Sequence, residues 1–158
     1  MTKHLIGERI CLREMEGRDW GDVHKYASQR IACQYQAWGP NTEEQSKAFV
    51  EQIIADAAKE VRTRFAFAII ENETMIGTGE LSMRDQLNKS GEIAYIINPD
   101  YWGRGIATEA ARLLLGYGFH ECHLHRIYAT CDPRNIGSAK VLEKIGMTME
   151  GAYAKMYS

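Results

Sequence analysis

Asn98-Pro99-Asp100-Tyr101-Trp102-Gly103-Arg104-Gly105-Ile106-Ala107-Thr108-Glu109-Ala110 is the stretch on which the fold turns. Before it, Glu92 to Ile97 is β-rich; after it, Ile106, Ala110, Leu113, Leu114 and Tyr117 recur as one helical stripe. The segment therefore joins a strand to a helix N-terminus. Closely spaced small residues let the backbone approach a ligand, and the unpaired N–H groups of the first helical turn aim a partial positive charge at it. An anionic phosphate is the natural occupant. A plain turn that uses glycine for its dihedrals is the bland alternative, since Gly-x-Gly alone is a weak motif. Two better-known phosphate loops are excluded. No Gly-Lys-Ser/Thr follows, as a Walker loop needs, and the third small residue of the dinucleotide fingerprint is replaced by Thr108.

Working outward, Phe65 to Ile70, Met75 to Met83 and Glu92 to Ile97 are three short β runs separated by Glu-Asn-Glu-Thr and Asn-Lys-Ser-Gly, the pattern of an antiparallel meander. Towards the N-terminus, Arg9 to Arg13 alternates as a first strand. Trp20, Val23, Tyr26, Ala27 and Ile31 suit a helix broken or ended before Gly39-Pro40. Thr42 and Gln45 have capping-box spacing, and Val50, Ile53, Ile54, Ala57 and Val61 follow at helical intervals. Towards the C-terminus come a helix from Thr108 to Phe119, a strand from Arg126 to Cys131, a helix from Gly137 to Ile145 and an extended run from Met147 to Tyr157. That β–α–β order predicts a parallel strand pair with a crossover helix.

The 158 residues are 45% hydrophobic and 25% charged, with three prolines, which is an ordinary globular composition and excludes a disordered or collagen-like chain. One domain spanning residues 1–158 is expected, with no linker or repeat to divide it. Nineteen basic against 21 acidic residues leave a net charge of −2, so no broad positive field favours nucleic acid or an acidic membrane as partner. No apolar run reaches the length of a leader or membrane span, and Cys11, Cys33, Cys122 and Cys131 form no Cys-x-x-Cys pair. A cytoplasmic protein with reduced thiols is expected.

The loop Trp102-Gly103-Arg104-Gly105-Ile106-Ala107 resembles the Gln/Arg-x-x-Gly-x-Gly/Ala acetyl-CoA signature of the GCN5-related N-acetyltransferases, the GNAT superfamily. Asn135-Ile136-Gly137-Ser138-Ala139-Lys140-Val141-Leu142-Glu143-Lys144-Ile145-Gly146-Met147 resembles the family's second CoA-contacting segment. Together the two are most similar to the Rim-type branch, which acetylates the N-termini of ribosomal proteins. Trp102 stands where the family signature has Gln or Arg.

The resemblance implies a mixed, mostly antiparallel sheet with one splayed parallel pair and helices on both faces. It implies acetyl-CoA as donor without a metal, and a primary amine as acceptor, either a peptide or protein N-terminus or a small amine, in a monomer or homodimer. A CoA-binding module without catalysis is the alternative of another class. The resemblance further implies Ile96 and Ile97 beside the pantetheine, with a backbone N–H near Ile97 facing the thioester carbonyl. The amides of Gly103, Gly105, Ala107 and Thr108 would hold the pyrophosphate around Ile106, with Arg104 adding charge. Asn135 matches a residue near the pantetheine or sulfur, and Lys140 would meet the 3′-phosphate. The family's frequent tyrosine acid is replaced by Leu142, while Ser138 resembles the serine proposed as acid in the Rim-type branch. Helix capping explains Asn135 and Ser138 equally well. Glu92 matches a glutamate that acts as a water-mediated base in the histone branch, and Glu80 on the neighbouring strand is the second candidate. Either needs desolvation or ordered water to serve an ammonium, and either is also an ordinary strand residue.

Three further features carry expectations. His120, Cys122, His123 and His125 crowd one turn but lack zinc spacing. Trp20, Tyr35 and Trp38 line an acceptor pocket or fill the core. The family usually closes with two strands, whereas Met147 to Tyr157 offers one. A sheet with that gap would expose an edge, which points to a longer native chain first, then to strand exchange with a partner, then to this run filling the place itself.

Overall fold

The computed structural model describes residues 4–150 and 153–157, the last five as backbone with the Lys155 side chain. Eight strands form one sheet: β1 (His4–Ile6), β2 (Cys11–Glu14), β3 (Arg64–Glu71), β4 (Thr74–Asp85), β5 (Ser90–Ile97), β6 (Arg126–Thr130), β7 (Thr148–Glu150) and β8 (Tyr153–Tyr157). Their spatial order is β1-β2-β3-β4-β5-β6-β8-β7, and every neighbouring pair is antiparallel except β5 with β6. Among the described residues five α-helices, besides shorter helical turns, complete the fold: α1 (Trp20–Ala27), α2 (Arg30–Cys33), α3 (Glu43–Ala57), α4 (Ile106–Gly116) and α5 (Ile136–Lys144). The expected mixed sheet with one parallel pair is present.

Strand alternation separates two cores. Phe67 and Ile69 of β3, Leu81 of β4 and Ile93 of β5 pack with Leu114 of α4 and Leu142 of α5. Ala66 and Ala68 face the other way, where Val23 and Tyr26 of α1 and Val50 and Ile53 of α3 meet them. Alanines on that side let bulky helix residues reach the sheet. Helices thus cover both faces, as expected.

Several boundaries differ from the sequence reading. The amides of Arg9 and Ile10 donate to Glu109 Oε2 of α4 at 3.1 and 2.9 Å, which removes them from the ladder and delays β2 to Cys11. The first helical run, expected to be broken or to end before Gly39-Pro40, is broken at Ser28 into α1 and α2. The Thr42–Gln45 capping box forms, but α3 ends at Ala57 and leaves Val61 67% exposed. Beyond Gly116 the helix loosens into a π-turn in which Cys122 N–H donates to Tyr117 O at 3.0 Å. There Tyr117 packs edge-on against Phe65 and Phe67.

The run Met147 to Tyr157, read as one strand, forms two. β7 pairs with β8, and β8 pairs with β6 from Arg126–Tyr157 to Thr130–Tyr153. The place beside β6 is therefore filled by β8, which corrects the single-strand reading. Among the described residues, no helix is long and apolar enough to cross a membrane.

Candidate active site

The parallel pair is short. β5 and β6 are in register only at Ser90–Arg126, Gly91–Ile127 and Glu92–Tyr128, after which they part. Ile93 to Ile97 thus runs beside a gap. Asn98 N–H donates to Ile76 O at 2.8 Å, so antiparallel alternation turns the polar groups of even-numbered β5 residues towards β4 and those of Tyr95 and Ile97 into the gap. The backbone of Ile96 points to β4 and its side chain packs against the α1–α3 core, yet Ile96 also lines the cavity at the gap, between Tyr95 and Ile97.

The gap leads to the α4 N-terminus. Gly103 (φ +78°) and Gly105 (φ +76°) adopt a left-handed backbone that favours glycine, and a Cβ on Gly103 would meet nothing within 4 Å. Gly105 caps α4, with Ile106 and Thr108 buried behind it. Arg104 is half exposed, 3.8 Å from Glu71 and 5.1 Å from the Tyr101 ring centre. Trp102 Nε1 donates to Ile97 O at 2.9 Å. The loop is thereby fastened to the end of β5.

On the opposite wall, Asn135 Oδ1 accepts from Ser138 N at 3.0 Å, so Asn135 is the α5 N-cap. The Ser138 hydroxyl is 3.2 Å from the Tyr95 hydroxyl. Burial raises the Tyr95 phenol above its ordinary value, and its hydrogen bond to Ser138 offsets this only in part. Leu142, at the family's tyrosine position, is a core residue 1% exposed.

A cavity of about 610 Å³ connects these walls. Tyr95, Ile97, Trp102, Gly103, Gly105, Ala107, Thr108, Asn135, Ser138 and Lys140 line it, with Lys144 and Arg134 adding positive charge, and Ile31, Ala32 and Tyr35 close it from the α2 side. An elongated anionic ligand fits this arrangement: a narrow slot between strands, then helix-terminal amides, then cations. Trp20 and Trp38 do not line the cavity. Trp20 packs on the α1–α3 core with Lys47 Nζ 4.4 Å from its ring centre.

Neither glutamate lines the cavity. Glu92 stands at the fork, 18% exposed, with Arg84 Nε donating to Oε1 at 3.0 Å and Thr130 Oγ1 to Oε2 at 3.3 Å. It lies three residues, about 10 Å along the strand, from Tyr95. Glu80, paired with Ala94, faces the same side, and both of its oxygens accept from Arg64 at 3.2 and 3.1 Å. Among the described residues no group of three or more His, Cys, Asp or Glu is placed to hold a metal ion.

Tyr95 escaped the sequence reading. Its signal was the alternation Ile93-Tyr95-Ile97, which puts a phenol on a buried strand face, where such a hydroxyl needs a partner.

Comparison with known proteins agrees with this geometry. Residues 9–148 match the family model described as Acetyltransferase (GNAT) domain. The chain is 38% identical over 153 residues to an uncharacterized N-acetyltransferase, YnaD, of Bacillus subtilis, covering 96% of this chain and 86% of that protein. It is 30% identical over 143 residues to spermidine N(1)-acetyltransferase of Escherichia coli K12, covering 90% and 74%. The crystal structure of a GNAT-family acetyltransferase from Bacillus anthracis superposes with a TM-score of 0.87 at 31% identity, covering 98% of both chains. The chain belongs to the GNAT family of acetyl-CoA-dependent N-acetyltransferases.

Proposed function

We propose that this enzyme acetylates the α-amino group of a peptide or protein by direct attack within a ternary complex. The observation that carries direct transfer is the continuity of one cavity across the sheet. Tyr95 and Ser138 lie on its α4–α5 side and Ile31, Ala32 and Tyr35 on its α2 side, and no cysteine lines it to form an acyl-enzyme. A thioester entering along the gap and an amine entering from the α2 side can meet without a covalent relay.

Bound acetyl-CoA supplies the activated acyl group through its thioester. The chain's own residues do the rest. The amides of Gly103, Gly105, Ala107 and Thr108 and the charge of Arg104 hold the pyrophosphate, and Lys140 and Lys144 attract the remaining phosphate. The Ile97 N–H, turned into the gap, faces the oxygen on which negative charge develops. Ser138 gives a proton to the departing sulfur. Glu92, at the fork but about 10 Å along the strand from Tyr95, takes the amine's proton through ordered water; Glu80 is likewise held by an arginine and stands on β4, one strand further from the gap, which makes it the second choice.

The peptide acceptor rests on the Rim-type similarity of the two motifs, and the acetyl-CoA dependence suits a cytoplasmic setting. A small polyamine is the second reading, favoured by the 30% identity to a spermidine acetyltransferase across 90% of this chain. Calorimetry with acetyl-CoA, joined to a thiol-release screen over peptides with free or blocked N-termini, polyamines, amino acids and aminoglycosides, separates these readings. Turnover only on free peptide N-termini supports the first; turnover on polyamines supports the second. Binding without turnover on any amine overturns both in favour of a non-catalytic CoA module.

A further inference from the structure

The family's usual tyrosine acid is absent at Leu142, and its proposed substitute, Ser138, has a chemical weakness. An aliphatic alcohol is a far weaker acid than a thiol, so a serine that simply surrendered its proton to a thiolate would be left as an unstable alkoxide. A phenol is ordinarily much closer in acidity, at about 10 against about 8.5 for a thiol, and although burial pushes Tyr95 upward it is still a phenol rather than an aliphatic alcohol. The geometry places one beside Ser138. Tyr95 projects from β5 towards the α4–α5 face, the two hydroxyls are 3.2 Å apart, and both residues line the cavity at the gap. Buried side-chain polar atoms among the described residues all have partners, and for the Tyr95 hydroxyl that partner is Ser138.

We propose that Tyr95 is the proton source behind Ser138, so that the two hydroxyls act as one relay. As the C–S bond breaks, the Ser138 proton moves to sulfur and the Tyr95 proton moves to Ser138 Oγ. One S–H bond forms, the serine remains neutral, and the charge rests on the Tyr95 phenolate. The proton that the attacking amine loses then returns to that phenolate through solvent, so the cycle consumes none. Tyr95 is protonated at rest because burial raises its phenol. In this relay Tyr95 is a positioning residue: it acts through Ser138 and also fixes the direction in which the serine proton points. The fold thus supplies from the strand what the family more often supplies from the helix at position 142.

The inference rests on the acetyl-transfer reading, and its test separates the two. Tyr95→Phe keeps the ring and removes only the hydroxyl, so thermal unfolding and acetyl-CoA affinity by calorimetry should stay near wild type. With the best amine of the thiol-release screen, kcat should fall about 10- to 100-fold at little change in either KM. Ser138→Ala should show a similar loss. The double variant Tyr95→Phe/Ser138→Ala should be no slower than the slower single variant, because a relay is broken once. A proton inventory in mixed H2O and D2O should be curved for wild type, with two protons in flight, and linear for Tyr95→Phe. Unchanged kcat in Tyr95→Phe, multiplying losses in the double variant, or the same inventory in both proteins overturns the relay while leaving acetyl transfer intact. A wild type that binds acetyl-CoA but releases no thiol on any amine overturns both.

Discussion

The indole nitrogen of Trp102 donates to the carbonyl oxygen of Ile97 at 2.9 Å, tying the phosphate-facing loop to the last residue of β5. One side chain thereby sets the spacing between the helix-terminal amides and the strand gap. Trp102→Phe keeps an aromatic ring and loses this bond. About 1 kcal/mol of donor binding should go with it, raising the KM for acetyl-CoA roughly fivefold. Steady-state kinetics should show kcat nearly unchanged, since the bond orders the site equally before and during reaction. A lowered kcat at constant KM would contradict this placement.

Gly105 meets three demands at once: a left-handed backbone at φ +76°, the first position before α4, and proximity to Arg9, whose Nη2 would lie 3.0 Å from an added Cβ. Gly105→Asp adds bulk and a negative charge where a pyrophosphate belongs, and calorimetry should detect no acetyl-CoA binding by a protein that still folds. Gly105→Ala adds only the backbone strain of about 1–2 kcal/mol and a close Cβ contact that the long Arg9 side chain can yield to, and it should weaken binding without abolishing it. Retained affinity in the aspartate variant would refute the loop assignment.

Glu92 and Glu80 should separate cleanly under substitution. Glu92→Gln should lower kcat about 100-fold on an amine acceptor and leave acetyl-CoA affinity in place, as loss of a water-mediated base requires. Glu80→Gln disrupts the two-point contact with Arg64, which also reaches Asp56 at 3.4 Å. Its expected signature is a stability loss of about 1–2 kcal/mol in urea melts, with kcat little altered. The reverse pattern would exchange their roles.

Asp19 should contribute to acid sensitivity. Burial, at 3% exposure, pushes its carboxyl upward, but hydrogen bonds from Arg13 at 2.8 and 2.9 Å and from the Glu16 amide at 2.7 Å outweigh that and hold it below the ordinary carboxylate value. A lowered folded value means the stabilisation is complete above the unfolded value of about 3.9 and is lost as pH falls through the folded one. Asp19→Asn should cost about 3 kcal/mol at neutral pH by stranding Arg13, and should flatten the acid limb of the stability profile. Equal slopes below pH 4 in both proteins would remove Asp19 as the cause.

Local signals carried most of the architecture. Gly103 and Gly105 announced a strand-to-helix joint because only that backbone needs them there, and Thr42 with Gln45 marked a helix start because the two side chains satisfy each other's backbone. Contacts made over long sequence separations were not legible. Ser138 and Tyr95 are 43 residues apart, and only the parting of β5 from β6 brings their hydroxyls together. The late start of β2 depends on Glu109, a hundred residues away, and the turn that divides β7 from β8 is invisible to an alternation count over so short a run.

β6 is in register with β5 at three positions and with β8 at five. The far wall of the gap is thus fastened more firmly to the hairpin behind it than to the strand in front. Mechanically the sheet is a jaw: β1 to β5 form the fixed half, β6, β8 and β7 the other, and the hinge pin is the short run ending at Glu92 and Tyr128. Opening the bite by a small angle strains that pin and the side-chain contacts across the gap, Tyr95–Ser138 among them, whereas dismantling either half means breaking whole ladders.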